Sequence, residues 1–474
     1  MGMRKGLGGC LLSIALGGCA VGPDFVAPPA ELPASWQCGA PTCGAGDVAH
    51  DWWRTFDDPE MASLVERAVS GNLDVLAMSN RLEQSRIHLK VNGASQFPNV
   101  GVGASYRRAE ESEKGWIDPS GRDGKSPYEL WGAAFDLSWE VDLWGHVRRR
   151  IEAAQAEVTM TSAEMDGVLL SVAAETASDY LKLQGVREQL SVTRESLLIA
   201  ERSLALVNSR YENGVTTRLD VHNATALIST VRARMEALGA EQVRLLNALA
   251  MLVGQAPGTL DDELLKSPSR TNDDTHEIPV GIPSEIARRR PDIRMKEADL
   301  HRATAEIGAA KADFYPRVIL GANYGYQTLN GSSFGSWAAQ QWSYGPSLYL
   351  PLFQGGRLVG TLALRRAQQQ AAAIAYRKTV LLAWHEVSNV LSDYAAQERE
   401  HRHLTEAVEQ NREALAVAEQ RYKEGAIDYL NVLNVQRTLL LAQSARVESG
   451  TKTAIGRVRL YKALGGGWPG GPTG

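Results

Sequence analysis

From Trp131 to Leu143 every odd position is apolar, running Trp131, Ala133, Phe135, Leu137, Trp139, Val141 and Leu143, while the even positions include Asp136, Ser138, Glu140 and Asp142. That period of two predicts a strand with one greasy and one charged face. The same alternation returns at Trp342, Tyr344, Pro346, Leu348, Leu350 and Leu352. Partner strands are predicted at Val100, Val102, Ala104 and Tyr106, and at Val318, Leu320, Ala322, Tyr324 and Tyr326. Between these segments the pattern changes to a helical one. The sequence holds 19 prolines, yet none falls between Tyr128 and Ala256 or between Leu352 and Trp468. Strong helix formers dominate both windows. Gly145 to Arg210 spans 66 residues, and a continuous helix of that length reaches about 100 Å. The apolar spacing of Leu190, Leu197, Leu204 and Val207, and of Val408, Leu415 and Tyr422, predicts packing against other helices as in a coiled-coil bundle.

The two sets of elements are copies of one unit. Residues 74–106 recur at 292–324, with Pro98 answering Pro316 and Tyr106 answering Tyr324. Residues 131–254 recur at 342–465, so that Gly145 answers Gly356, Arg210-Tyr211 answers Arg421-Tyr422, and Gly214 answers Gly425. The two registers differ by seven residues, all within 107–130 of the first copy and 325–341 of the second. A gap confined to one polar stretch is the behaviour of a surface loop. Each long helix ends in a matched turn, Arg210 to Val215 and Arg421 to Ala426, where glycine suits the left-handed closing position. A second apolar helix then returns from Leu219 or Leu430, which places both tips at the far end from the strands.

The amino terminus adds a compartment. Arg4 and Lys5, the apolar run Leu7 to Leu16, and Leu16-Gly17-Gly18-Cys19 make an export signal ending at a processing site. The tetrapeptide resembles a bacterial lipobox, so Cys19 is the expected lipidated residue; the earlier Leu7 to Cys10 repeat has almost no apolar core before it. Ala20 in place of Asp points to the outer membrane. Of the remaining cysteines, Cys38 and Cys43 suit a small disulfide loop in an oxidising compartment better than a metal site, which has only His50 nearby. With 55 carboxylates against 50 basic residues and no basic run, nucleic acid is not an expected partner. No mature segment is long and apolar enough for a transmembrane helix.

Soluble sandwich strands show the same alternation, but their length and their terminal aromatics suit an outer-membrane barrel in an exported lipoprotein. Four strands cannot close a barrel, which needs about eight, and open edges are not tolerated in lipid. Three chains supply twelve strands. The expected fold is therefore mainly α with a membrane β-barrel, built from a duplicated unit.

Several motifs, in order, carry a family likeness: Cys19-Ala20-Val21-Gly22-Pro23-Asp24-Phe25, Trp52-Trp53-Arg54-Thr55-Phe56-Asp57-Asp58-Pro59, Asp142-Leu143-Trp144-Gly145, Arg289-Arg290-Pro291-Asp292-Ile293-Arg294, and Pro351-Leu352-Phe353-Gln354-Gly355-Gly356-Arg357. The chain resembles the TolC-like outer-membrane efflux channels, in the lipoprotein branch that serves resistance-nodulation-division pumps. The resemblance implies a homotrimer with a twelve-stranded barrel and a helical tunnel across the periplasm, passive exit of small toxic compounds, no cofactor, a periplasmic adaptor docked at the tips, and an inner-membrane pump behind it. The docking turns are then Gly214, Val215, Gly425 and Ala426. Relatives constrict the entrance with aspartates just after the second tip glycine; here those positions are Asn431 and Asn434, while the first copy keeps Asp220. Arg421 and Tyr422 match residues that lock the closed state in relatives, and read equally well as a helix-end cation and a packed aromatic.

The expected organisation is a signal peptide at 1–18, a linker and helical segment at 19–96, the first hairpin at 97–143, the first long helical hairpin at 144–254, an equatorial segment at 255–290, a helix at 291–314, the second hairpin at 315–353, the second helical hairpin at 354–465 and a tail at 466–474. A type I secretion channel shares this architecture. A periplasmic adaptor lipoprotein would have one helical hairpin and no such strands. Enzyme motifs are poor: Gly331-Ser332-Ser333-Phe334-Gly335 lies in a polar loop instead of a strand-to-helix turn, Gly121 to Ser126 lacks phosphate-loop spacing, and His385-Glu386, His401 and His403 lack the partners of a zinc site.

Overall fold

The computed structural model describes residues 20–29, 43–44, 51–114, 121, 127–266, 278–279 and 289–466. Cys19, Cys38 and the side chain of Cys43 lie outside the described residues, and with them the lipid and disulfide expectations. The elements run β1 (Cys43–Gly44), α1 (Pro59–Gly71), α2 (Leu73–Gly93), β2 (Asn99–Ala109), β3 (Tyr128–Val141), α3 (His146–Glu212), α4 (Arg218–Leu252), α5 (Asp261–Lys266), β4 (Ile278–Pro279), α6 (Pro291–Ala312), β5 (Arg317–Thr328), β6 (Gln340–Tyr349), α7 (Arg357–Lys423) and α8 (Tyr429–Ala463). Both long helices have 67 residues. Packing divides the chain into two units: residues 1–28, 82–161 and 296–376, and residues 29–81, 162–295 and 377–474.

The first unit holds a four-stranded antiparallel sheet in the order β2-β3-β5-β6. Its register gathers the alternating residues onto one face. Val102 sits opposite Phe135, Phe135 opposite Tyr324, and Tyr324 opposite Trp342. Because paired residues share a face, the other face carries Gly101, Asp136, Asn323 and Ser343 in one row. There Asn323 Nδ2 donates to Asp136 Oδ1 at 2.6 Å. The last strand stops at Tyr349, short of the alternation read to Leu352. The reason is its partner: β5 begins at Arg317, opposite Tyr349, so no strand residue remains to pair with Leu350 and beyond. The connecting segments are also shorter than the gap suggested, because β2 reaches Ala109 and β5 reaches Thr328.

In the same unit the strand-to-helix corner is built by Asp142-Leu143-Trp144-Gly145. Asp142 Oδ2 accepts the Arg148 backbone N–H at 2.9 Å, and the Trp144 indole donates to Pro316 O at 2.9 Å while stacking on Tyr315. Gly145 takes φ 83°, and a Cβ there would meet Ala20 at 2.7 Å. The amino-terminal strap lies against this corner: Val21 N donates to Trp144 O, Asp24 accepts from Arg149 at 2.6 Å, and Phe25 stacks on His301 at 4.4 Å.

The second unit packs around the Trp52–Phe56 turn. Trp52 is fully buried and stacks on Tyr461 of α8, and Arg457 lies 4.4 Å over the Phe56 ring while donating to Thr55 O. Asp58 caps α1 by accepting from the Glu60 and Met61 N–H groups, with Pro59 at the first helical position. The Tyr180 hydroxyl donates to Asp58 and Glu60, both at 3.0 Å, and burial with these carboxylates pushes its pKa far up. Arg290 closes the unit by reaching Asp292, Glu386 and the Ala463 carbonyl, and Arg294 pairs with Asp166 at 2.8 Å. Here β1 and β4 form a short parallel pair, which joins segments too far apart in sequence to be paired by pattern alone.

Candidate functional site: the helical tips

The tip turns are two versions of one motif. In the first, Val215 N donates to Arg210 O at 2.8 Å and Gly214 N to Tyr211 O at 2.9 Å; in the second, Ala426 N donates to Arg421 O at 2.9 Å and Gly425 N to Tyr422 O at 3.0 Å. These are Schellman closures, in which the residue after the helix must turn left-handed. Gly214 and Gly425 do so, at φ 75° and 78°. Neither glycine would bring a Cβ within 4 Å of another group, so any side chain added there is opposed by backbone strain and meets open space. Val215 and Ala426 are exposed beside them.

The return helices start differently. Thr217 and Asp220 form a reciprocal capping box at the start of α4. Asp220 Oδ2 accepts from Thr216 Oγ1 at 2.6 Å, Thr217 Oγ1 at 2.9 Å and Thr217 N at 3.2 Å. Partial burial opposes the charge, but these three donors hold the carboxyl below the usual aspartate range. The second copy has no such box: Asp428 precedes α8 without a side-chain cap bond, and Asn431 stands where Asp220 stands in the first copy. Asn431 and Asn434 are exposed on the α8 surface.

Arg421 and Tyr422 part company. Tyr422 is 4% exposed and belongs to a core with Val207, Ile228, Tyr429, Val432 and Leu433, whereas Arg421 is exposed. The cation on Tyr422 is Arg210 from the other copy, whose Cζ lies 4.3 Å over the ring while its Nη2 donates to Lys423 O at 2.9 Å. Tyr429 lies 5.7 Å from Tyr422, and its hydroxyl pKa is pushed up to about 12 by burial and then by Tyr422 and Asp220. The sequence reading missed Arg210. Its signal was available, because the repeat aligns Arg210 with Arg421, but alignment alone does not say which tyrosine each arginine meets.

The expected helical spacing is realised below the tips. Leu190, Val207, Val408 and Leu415 are buried, and Leu197 and Leu204 pack partly buried against the tip core. No group of three or more residues suited to a metal ion occurs among the described residues. Ser332 donates to Asn330 within a short 3-10 turn, and His401 meets Ser449 Oγ at 2.9 Å.

A sheet with one face apolar through its middle, joined in the chain to two helical hairpins of this length, defines a subunit of a membrane channel with a helical extension. The chain belongs to the outer membrane efflux protein family, whose model matches residues 64–255 and 282–466. It is 30% identical over 471 residues to the outer membrane protein OprJ of Pseudomonas aeruginosa, covering 98% of this chain and 97% of that one. The toluene efflux pump outer membrane protein TtgF of Pseudomonas putida is 30% identical over 472 residues, with 96% of both chains covered. The solved outer-membrane channel OprN matches with a TM-score of 0.88 at 32% identity, over 95% of this chain and all of that one. The open state of the MtrE channel of Neisseria gonorrhoeae matches with a TM-score of 0.82 at 25% identity, over 95% and 98%.

Proposed function

We propose that three copies of this chain close one twelve-stranded barrel in the Gram-negative outer membrane and form the exit duct of a tripartite efflux pump. Small toxic compounds then leave passively through it. The observation that carries this reading is the open sheet. Val102, Phe135, Trp342 and Tyr344 are each more than half exposed on one face, and both edge strands, β2 and β6, lack an outer partner among the described residues. In lipid, unpaired backbone is expensive and only closure removes it. An apolar exterior and a row of Gly101, Asp136, Asn323 and Ser343 on the opposite face suit a wall between lipid and water.

The remaining roles follow from the tips. Gly214, Val215, Gly425 and Ala426 form the surface on which a periplasmic adaptor docks, and a resistance-nodulation-division pump in the inner membrane supplies the driving force. Asp220, Asn431, Asn434, Arg421 and Tyr422 form the resting gate. Three Asp and six Asn per trimer give that ring half the charge of six carboxylates, with hydrogen-bonding capacity retained. Cys19 carries a lipid anchor, and Cys38 with Cys43 closes a disulfide loop.

Electrophoresis and planar-bilayer recording test the reading together. Membrane extracts run without heating should show a band of trimer size that collapses to monomer on boiling, and the purified trimer should conduct. Asn431→Asp combined with Asn434→Asp should raise cation selectivity. A monomeric, non-conducting protein would refute the barrel; a conducting trimer with unchanged selectivity would remove only these residues from the gate.

A further inference from the structure

The tip carries one Arg–Tyr stack where the duplicated sequence supplies two. Arg210 of the first copy lies on Tyr422 of the second and donates to the Lys423 carbonyl. The counterpart residues, shifted by one repeat, are Arg421, Tyr211 and Glu212. Arg421 is exposed and Tyr211 is 44% exposed against 4% for Tyr422. Neither side chain forms a hydrogen bond, ion pair or ring contact among the described residues, although both stand on helix ends closed by the same pair of backbone bonds as their counterparts. Equivalent closures aim equivalent side chains alike.

In a closed ring of alternating copies, the interface from first to second copy lies inside one chain, and the next interface, from second to first, joins two chains. The intrachain interface places the arginine of the leading copy on the tyrosine of the following one. Repeating that step around the ring brings Arg421 to a Tyr211. This rests on the trimer reading given above.

We propose that Arg421 of each chain stacks on the Tyr211 ring of the next copy and donates to its Glu212 carbonyl, completing a belt of six Arg–Tyr stacks at the tips. Three lie within chains and three between them. The guanidinium suits both jobs at once, since its plane covers a ring while its edge N–H groups remain free to donate. The intrachain stacks are held by the hydrophobic core around Tyr422, whereas the interchain stacks can part without unfolding a chain. They are therefore the links that separate when neighbouring tips move apart.

Cross-linking tests the pairing directly in a Cys38→Ser, Cys43→Ser background. Tyr211→Cys together with Arg421→Cys, treated with a short bifunctional maleimide, should give a boiled, reduced sample that runs as covalent trimer. Either single cysteine, and the intrachain pair Arg210→Cys with Tyr422→Cys, should run as monomer. A second measurement asks for the ring itself: Tyr211→Phe should leave the resting conductance unchanged, Tyr211→Leu should raise it several-fold, and adding Arg421→Ala to Tyr211→Leu should raise it no further. An unheated trimer that yields no covalent trimer, or equal conductance from the Phe and Leu variants, overturns the interchain stack and leaves the trimer standing. Absence of any trimer in the unsubstituted protein overturns the underlying reading instead.

Discussion

His146, the first residue of α3, sits where strand gives way to helix and holds the clearest titrating contact of the first unit. Its Nδ1 lies 3.2 Å from Asp313 Oδ1 and 3.3 Å from the Ala309 carbonyl. Both are acceptors, so this nitrogen carries a proton. The bond to Asp313 raises the His146 pKa against the cost of burial, while burial is outweighed at Asp313 by His146 and Arg317, which lower it. The signs define a window. The histidine contribution is fully present below its unfolded value of about 6.5 and is lost as pH rises through its raised folded value. The aspartate contribution is present above about 3.9 and is lost as pH falls through its lowered folded value. The melting temperature of the purified protein should therefore fall as pH rises from about 6.5 through the raised folded value of His146, and His146→Gln should flatten that slope. Equal slopes for the two proteins would show that another group titrates there. Asp220 carries a related lesson for mutagenesis: its charge and its cap are the same atoms, so Asp220→Ala removes both, and only Asp220→Asn retains hydrogen-bonding capacity while discharging the ring.

At the scale of elements, strands and helices were readable because each repeats its period over a long run. The odd-numbered face of β3 and the buried line through Leu190 and Val207 are what a period of two and a helical spacing predict. What stayed hidden depended on chemistry between distant segments. The Schellman glycines could be read locally, whereas the stack of Arg210 on Tyr422 joins residues from different repeats. The capping box of Thr217 and Asp220 follows a readable Thr-x-x-acid spacing, but the sequence reading assigns that position to the gate alone. The pairing of β1 with β4 involves two residues on each side and leaves no periodic trace. The two sheet faces give a direct comparison. Phe135→Arg places a charge on the apolar face of a central strand, at a cost of about 2–4 kcal/mol near the bilayer midplane. Ser343→Arg sits in the row with Asn323 and Asp136 on the opposite face and should be tolerated. Outer-membrane yield of unheated trimer should collapse for the first and hold for the second; equal yields would mean that the faces are assigned the wrong way round.

Across the whole molecule, the repeat makes a prediction about sidedness. The two copies differ in length only between β2 and β3 and between β5 and β6, where the second copy places short 3-10 turns at Gly331–Ser333 and Trp337–Ala339. Segments free to diverge face solvent. Epitopes inserted near Gly121 and near Gly331 should both bind antibody on intact cells, and binding only after the outer membrane is permeabilised would invert the orientation. The opposite rim of the barrel is governed by the strap. Gly22, at φ 114°, passes so close to Gly308 that a Cβ would lie 2.5 Å from its Cα, and Ala20 presses on Gly145 at the first turn of the long helix. Ala20 is bonded directly to Cys19. If Cys19 carries the proposed lipid, its peptide bond to Ala20 puts that lipid one residue from the Gly145 corner. On the proposed function, such a tether would set the depth at which the strand-to-helix corner meets the membrane.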